Sequence, residues 1–381
     1  MIERRKTLKL IGGGVIFSAA GLSGCAVIKG PSQSARAAWR NAGQESEFRR
    51  RALSYALLAP NPHNRQPWQV KLVGEDALTL YCDLERRLPV TDPYDRQTTI
   101  GCGAFLELLT IAAAQDGYST KIISFPEGEN MQTLDSRPIA HVVFSKTLIQ
   151  PDPLFQQILS RRSNKDDYSS KRVLETAMDR VAEQGAAFGV TIDSTSETKL
   201  ISKLQELSWQ AYAKEVNTRK AYQESIDLMR FGPAEVAKNP DGITMDSRFL
   251  SMLNLTGIMN RNSIADPSSS AFKQGLEMYQ EKINSTSTFL WLTNNGDTRL
   301  DEINAGRAYL RVNLQATEQS LALHPVSQAL QEYPEMSNIY QSMHQLIGKG
   351  KRIQMFARVG YAPSVKATPR WGLDKHIKRP E

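Results

Sequence analysis

The sequence predicts an α+β fold, and three observations carry that expectation. Of its 381 residues 40% are hydrophobic and 23% charged, with 24 Gly and 18 Pro, the proportions of a globular chain rather than a disordered, collagen-like or polytopic membrane one. Residues 68–84 alternate between apolar and polar positions on both sides of Gly74-Glu75-Asp76, which is a hairpin pattern. Helical and strand patterns then succeed one another without the regular strand–helix repeat of a parallel sheet. At roughly 150 residues per domain the length suits two domains or one composite unit, with enough chain to bury a core without disulfides or metal. The net charge is +7, of which residues 1–24 carry +3. The remaining +4 is thinly spread and forms no basic stripe, so a nucleic-acid partner is not expected.

Residues 1–24 read as an export signal rather than a membrane helix. Arg4-Arg5-Lys6 forms a basic start, and the Gly/Ala-rich apolar run from Leu10 to Leu22 is about half a bilayer span. The string RRKTLK resembles a twin-arginine signal, with Thr7-Leu8 where the strongest examples carry an aromatic residue. Leu22-Ser23-Gly24-Cys25 looks like a bacterial lipobox, in which cleavage falls just before a cysteine that takes a diacylglycerol. On that reading Cys25 is the lipidation site, residues 25–46 are the lipidated cysteine and a tether, and a membrane in the cell envelope or periplasm is a partner. The competing reading is an uncleaved start with a chance cysteine.

Further elements follow in order. A helix is expected from Glu47 to Leu58, stopped by Pro60 and Pro62. The hairpin comes next, with Trp68, Val70 and Leu72 facing Leu78, Leu80 and Cys82. Ala104, Leu108 and Ala112 recur at helical spacing in a helix from about Thr98 to Gly117. Strands are expected at 139–145 and 188–193, with a charged helix between Val173 and Gly185. Residues 205–285 are polar and broken by Gly232-Pro233, Asn239-Pro240-Asp241-Gly242 and Asp266-Pro267, as in an irregular helical insertion. A strand at Thr288–Thr293, a long helix from Asp301 to Leu323, a helix near 336–347 and a strand at Ile353–Val359 complete the series.

Much familiar chemistry is missing from the sequence. Cys82 and Cys102 remain once Cys25 is set aside, and their pairing is undecided. The five histidines are scattered without ligand spacing, so no metal is assigned. No nucleophile elbow, Rossmann loop or P-loop is present outside the signal. Three strings stand out. APNPHNRQPW (59–68) lies in a helix-to-strand turn whose prolines fix the backbone and leave amides to bond something planar and polar. Arg161-Arg162-Ser163-Asn164-Lys165 offers three cations and a hydroxyl, which suits a phosphate, although an isolated run of this kind is more often a solvated face. Thr368-Pro369-Arg370 presents one more guanidinium.

Together these strings resemble the FMN-binding nitroreductase family. The first matches its Pro-Ser-x-x-Asn-x-Gln-Pro-Trp segment at Pro60, Asn64, Gln66, Pro67 and Trp68, with Asn61 in the serine place. Arg161 to Lys165 matches its phosphate segment, and Gly360 to Arg370 its C-terminal end. Asp95-Arg96 through Phe105, and Gly306-Arg307-Ala308 through Ala316-Thr317, are similar to its Acg branch. In ordinary members the Arg-Arg-Ser segment comes first and two subunits share each flavin. Here the order is reversed and each segment occurs once. The resemblance therefore implies a nitroreductase-like α+β chain of two fused halves, 47–150 and 151–381, each a mainly antiparallel sheet flanked by helices. The chain would be a monomer acting as an intramolecular pseudo-dimer with one flavin site.

The resemblance further implies FMN as cofactor, with Arg161, Ser163, Lys165 and Arg370 at its phosphate. Pro60, Asn61 and Asn64 would contact the ring or ribityl, and the backbone at Pro325, Val326 and Ser327 would donate towards N5. The flavin carries the redox chemistry, so no catalytic side chain is assigned. The implied function is an FMN-dependent oxidoreductase passing electrons from a small donor to a nitroaromatic- or quinone-like acceptor, with the insertion as a lid. The alternative is a flavin-binding or flavin-sequestering lipoprotein with little turnover.

Overall fold

The computed structural model describes residues 30–378, so the signal and Cys25 lie outside the described residues. In chain order the first half holds α1 (Ala37–Asn41), α2 (Phe48–Ala56), β1 (Trp68–Val73), β2 (Ala77–Cys82), α3 (Arg96–Gln115), β3 (Tyr118–Ser124) and β4 (Ala140–Lys146). There follow α4 (Glu175–Ala182) and β5 (Thr191–Thr195). The insertion comprises α5 (Thr198–Asn217), α6 (Arg219–Asp227), β6 (Met229–Phe231), α7 (Gly232–Lys238), β7 (Ile243–Met245), α8 (Arg248–Leu255), α9 (Arg261–Ala265) and α10 (Ser270–Asn284). The second half resumes with β8 (Thr288–Asn294), α11 (Arg299–Glu318), β9 (Ala322–Pro325), α12 (Ser337–Met343) and β10 (Arg352–Gly360).

The expected two-half α+β architecture is present, and the halves share one topology. Each has a four-stranded antiparallel sheet, in the order β1-β2-β4-β3 and β5-β8-β10-β9. Reading β5 as the counterpart of β1, the strand orders superimpose element for element, with α3 and α11 in the same place after the second strand. The tight turn between β1 and β2 corresponds to the whole insertion between β5 and β8. That insertion starts at Thr198, seven residues earlier than its polar composition suggests, and contains a small parallel β6–β7 pair.

Both long helices are held by acceptors at their starts. The Thr298 side chain accepts from Asp301 N–H and the Asp301 carboxylate accepts from Thr298 N–H, a capping box. At α3, Asp92 accepts from the Gln97 and Thr98 N–H groups. The two helices meet at reciprocal glycines. A Cβ on Gly103 would overlap the Ile303 carbonyl, and one on Gly306 would overlap the Ile100 carbonyl. This mutual exchange of contacts is what a two-fold relation between equivalent surfaces produces. Each half's core accordingly borrows from the other: Ile303, Leu310 and Leu314 join Trp68, Leu78 and Phe105, while Ile100 joins Leu290, Tyr309 and Ala357. Glu107 of α3 is bound by Arg307 and Arg311 of α11, both at 2.8 Å. By length and composition α3 could cross a membrane, but it is buried in the core.

Several boundaries differ from expectation. The half-exposed edge strand β3 was invisible as a strand because Tyr118-Ser119-Thr120-Lys121 lacks apolar alternation. Helix α11 ends at Glu318 rather than Leu323, because Ser320 at φ 56° turns the chain into β9. Residues 183–188 form a 3-10 turn, so β5 starts later than position 188. The segment 30–46 is not a free tether. Trp39 is buried, its indole N–H donates to Thr368 O at 2.8 Å, and Arg36 pairs with Asp246 at 2.9 Å. The C-terminal tail belongs with the first half, since Val70 N–H donates to His376 O and Lys378 N–H to Val70 O, both at 2.8 Å. Cys82 and Cys102 are free, buried thiols, and burial pushes Cys102 up to about 12.

Candidate anion and cofactor site

The site begins with the strained turn between α2 and β1. His63, Asn64 and Gln66 all have positive φ, at 46°, 54° and 53°, in a conformation that non-glycine residues adopt only when their surroundings impose it. Three parts of the chain impose it. Asn61 caps the turn internally, accepting from Gln66 N–H at 2.7 Å and donating to Ala59 O at 3.1 Å. Asn64 donates to Pro369 O at 3.0 Å and accepts from Arg370 in the tail. Gln66 donates to Pro240 O in the insertion at 2.9 Å and accepts from Trp371 N–H at 2.9 Å. The expectation that these amides stay free for a ligand is therefore corrected. Asn61 and Asn64 spend their polar atoms on holding the turn and the tail together.

Around this turn the basic residues converge. The Arg161 run is not a solvated face: Arg161 is 3% exposed and Arg370 5%. Both guanidiniums donate to the Leu58 carbonyl at the C-terminal end of α2, at 3.0 and 3.3 Å, and Arg370 also donates to Leu57 O and Ala59 O. Arg161, Arg162 and Arg370 surround the Trp39 ring at 5.9, 4.6 and 5.7 Å from its centroid. Among the described residues none of the three forms an ion pair with an Asp or Glu. Arg161 Nε and Nη1 and Arg162 Nε are buried without any partner. Burial holds Arg161 down to about 10; burial and the neighbouring Arg161 and Arg162 hold Arg370 down to about 9.

Three guanidiniums with no counter-ion, two of them with unspent donors, are unfavourable on their own. The Arg370 N–H groups are all spent on Leu57 O, Leu58 O, Ala59 O, Asn64 Oδ1 and Pro369 O, so Arg370 adds charge rather than a free donor. The arrangement suits an anion with several acceptor oxygens. A phosphate would supply both the missing charge and acceptors for the unspent N–H groups. Ser163 is half-buried beside them. Asn164 pins the segment to β9 through its N–H to Leu323 O at 2.9 Å and to the tail through its side chain to Pro363 O at 2.8 Å. Lys165 is exposed by area yet enclosed by enough protein to hold its ammonium below the ordinary lysine value. Burial, with the Lys165 charge as a further cause, holds His63, His324 and Lys282 below their ordinary values. Buried Arg358 ties this region together, donating to His324 Nδ1 at 3.0 Å, Lys282 O at 2.9 Å and Asp166 O at 2.8 Å.

Of the expected backbone donors at 325–327, one remains. Proline has no N–H, and Val326 N–H is committed to Phe356 O at 3.0 Å. Ser327 opens a 3-10 turn (Ser327–Leu330), where its N–H has no intrahelical acceptor. A polar chain runs between this segment and the strained turn: Gln331 donates to Glu215, Ser225 donates to Glu215 at 3.2 Å, and Ser225 Oγ lies 3.4 Å from His63 Nε2. Sequence reasoning missed Trp39, His324, Lys282 and Glu215. Trp39 falls in a segment with tether-like composition, and Glu215 in a polar helix with nothing to distinguish it.

Burial pushes the Glu215 carboxyl up to about 7, against hydrogen bonds from Ser225, Gln331 and Gln328 that favour the charge. Between about 4.5 and 7 the folded protein thus holds a proton that the unfolded chain has released. This group's contribution to stability falls as pH rises through that window and is level above it. Gln at 215 cannot titrate. The stability of Glu215→Gln relative to the wild type is expected to rise between pH 5 and pH 8, by about 1–3 kcal/mol in paired urea denaturations. A difference independent of pH would contradict the burial of this carboxyl.

No family model matches the chain. It is similar to the Mycobacterium tuberculosis H37Rv protein named "Putative NAD(P)H nitroreductase Rv3131", 26% identical over 351 residues covering 88% of this chain and 93% of that one. It is also similar to the "Putative NAD(P)H nitroreductase acg" of the same strain, 24% identical over 86% of this chain and 95% of the relative. Among solved structures it is similar to the FMN-dependent nitroreductase NfnB from Mycobacterium smegmatis in complex with NADPH, 17% identical over 59% of this chain and 97% of that one, with a TM-score of 0.37. A nitroreductase with bound FMN from Desulfitobacterium hafniense DCB-2 is 10% identical over 61% of this chain and 100% of that one, with a TM-score of 0.36.

Proposed function

We propose that the chain binds one FMN between its two halves and passes electrons through it from a small reduced donor to a small nitroaromatic- or quinone-like acceptor. The observation that carries this reading is the uncompensated Arg161–Arg162–Arg370 cluster with its unspent donors. The names of the M. tuberculosis relatives support the reaction class. Arg161, Arg162 and Ser163 would hold the phosphate with the Arg370 charge behind them, Lys165 and Ser327 N–H would face the rest of the cofactor, and Pro60 would line the opposite wall. Asn61 and Asn64 hold Pro60 and Arg370 in place. The flavin supplies the hydride and electron chemistry. The protein's own residues neutralise the phosphate, orient the ring and, through the insertion over the His63 side, restrict water and acceptor size. On this reading the chain is a monomer that acts as its own dimer, exported and anchored to a membrane by lipid on Cys25.

The test is anaerobic reduction of the bound flavin by NADH, NADPH and a quinol, followed by reoxidation with a nitroaromatic and a quinone. Multiple turnovers with one donor–acceptor pair are the expected result. A flavin that binds but resists all three donors would leave the protein a flavin-sequestering one.

A further inference from the structure

The described chain begins beside an apolar surface. Phe249, Met252, Leu255 and Ile258 are 38, 40, 72 and 45% exposed, four large hydrophobic side chains within ten residues. The first three are spaced i, i+3 and i+6 on α8, so they share one side of it. The opposite side is spent on the insertion's own core, where Leu250 and Leu253 pack with Ile226, Phe231 and Met259. Single exposed hydrophobics need no explanation, but a contiguous group of this kind marks a contact surface.

The start of the chain is tied to the same helix. Ser32 N–H donates to Asp246 Oδ2 at 3.1 Å, and Arg36 pairs with the same carboxylate. Gly30 lies against Arg248, the first residue of α8: a Cβ there would be 3.4 Å from Arg248 Nε. Residue 30 is therefore fixed at the N-terminal end of α8. Cys25 is five residues away, and five residues span at most about 18 Å even when fully extended. Whatever path residues 26–29 take, lipid chains on Cys25 bring the start of α8 to within about that distance of the headgroups.

We propose that α8 and the following turn form a lipid-docking face, with Phe249, Met252, Leu255 and Ile258 seated among the headgroups of the bilayer that holds Cys25. The proposal rests on the reading of Cys25 as a lipidated cysteine. It adds that the anchor fixes an orientation: the insertion, rather than either four-stranded sheet, faces the membrane. The two acyl chains of the diacylglycerol hold the protein to the bilayer, and the apolar side chains fix which face lies against it.

The experiment uses the full lipidated chain in phosphatidylethanolamine–phosphatidylglycerol vesicles containing brominated acyl chains. A bimane is attached at Leu255→Cys or, as a control, at Ile123→Cys on edge strand β3. Both sites are exposed, so neither change disturbs the fold, and Cys82 and Cys102 are buried away from the label. Quenching by brominated lipid is expected to be at least about threefold stronger at 255 than at 123, as for a side chain seated at the acyl boundary. Vesicle-bound protein with equal quenching at the two sites would overturn the docking face and leave the anchor standing. Protein that does not sediment with vesicles would overturn both.

Discussion

Gly306→Ala is expected to destabilise the protein by about 3 kcal/mol, although Gly→Ala inside a helix ordinarily stabilises by up to about 1 kcal/mol. The reason is the crossing of α3 and α11, where the added methyl would meet the Ile100 carbonyl rather than a yielding side chain. Backbone cannot rotate away, so the helices must separate and the cores on both sides lose contact. Gly103→Ala should act alike, because its methyl would meet the Ile303 carbonyl. Gly275 in α10 is the control. Nothing lies within 4 Å of a Cβ there, so Gly275→Ala should gain about 0.5–1 kcal/mol. Urea denaturation of the three variants gives the comparison. Equal gains at 103, 275 and 306 would contradict the close crossing.

Arg161→Gln is expected to weaken FMN binding strongly while costing the cofactor-free protein little. It removes a buried cation whose unpaired Nε and Nη1 would hold the phosphate. A hydrogen bond to a charged group contributes about 1.5–3 kcal/mol, which corresponds to roughly ten- to a hundredfold in affinity. In the cofactor-free protein Arg161 is desolvated by burial and repelled by Arg162, which is why its guanidinium sits below its ordinary value. Losing it relieves both at the expense of one hydrogen bond to Leu58 O. The apo Arg161→Gln variant should therefore unfold within about 1 kcal/mol of the wild type, whereas Arg370→Gln, which strips donors from Leu57 O, Leu58 O, Ala59 O and the Asn64 side chain, should lose several times that amount. FMN affinity by fluorescence titration and apo stability by urea should move independently. A large loss of apo stability with unchanged FMN binding would make the cluster structural.

The sequence carried the fold class and most long elements, because Trp68, Val70 and Leu72 or Ala104, Leu108 and Ala112 obey the periodicities that burial imposes, whereas the two halves followed only from the family resemblance. It carried the basic run Arg161 to Lys165 because cations and hydroxyls are local in sequence. What it could not carry depends on distant partners. Asn61 and Asn64 look like free amides until Ala59, Gln66, Pro369 and Arg370 are placed around them. Arg161 looks like a surface residue until Trp39 and the end of α2 close over it. Val326 loses its N–H to a strand pairing that only the sheet order reveals. The equivalence of the halves was likewise hidden, since a hairpin turn and an insertion running from Thr198 to Asn284 occupy the same topological place.

The central claim is a single phosphate-anchored flavin site between the halves. Calorimetric titration of the apo chain with FMN and, separately, with riboflavin tests it most directly. The expected result is one FMN per chain, bound at least about a hundredfold more tightly than riboflavin, because the phosphate engages the buried guanidiniums that riboflavin leaves unpaired. Two flavins per chain, none, or equal affinity for FMN and riboflavin would contradict it.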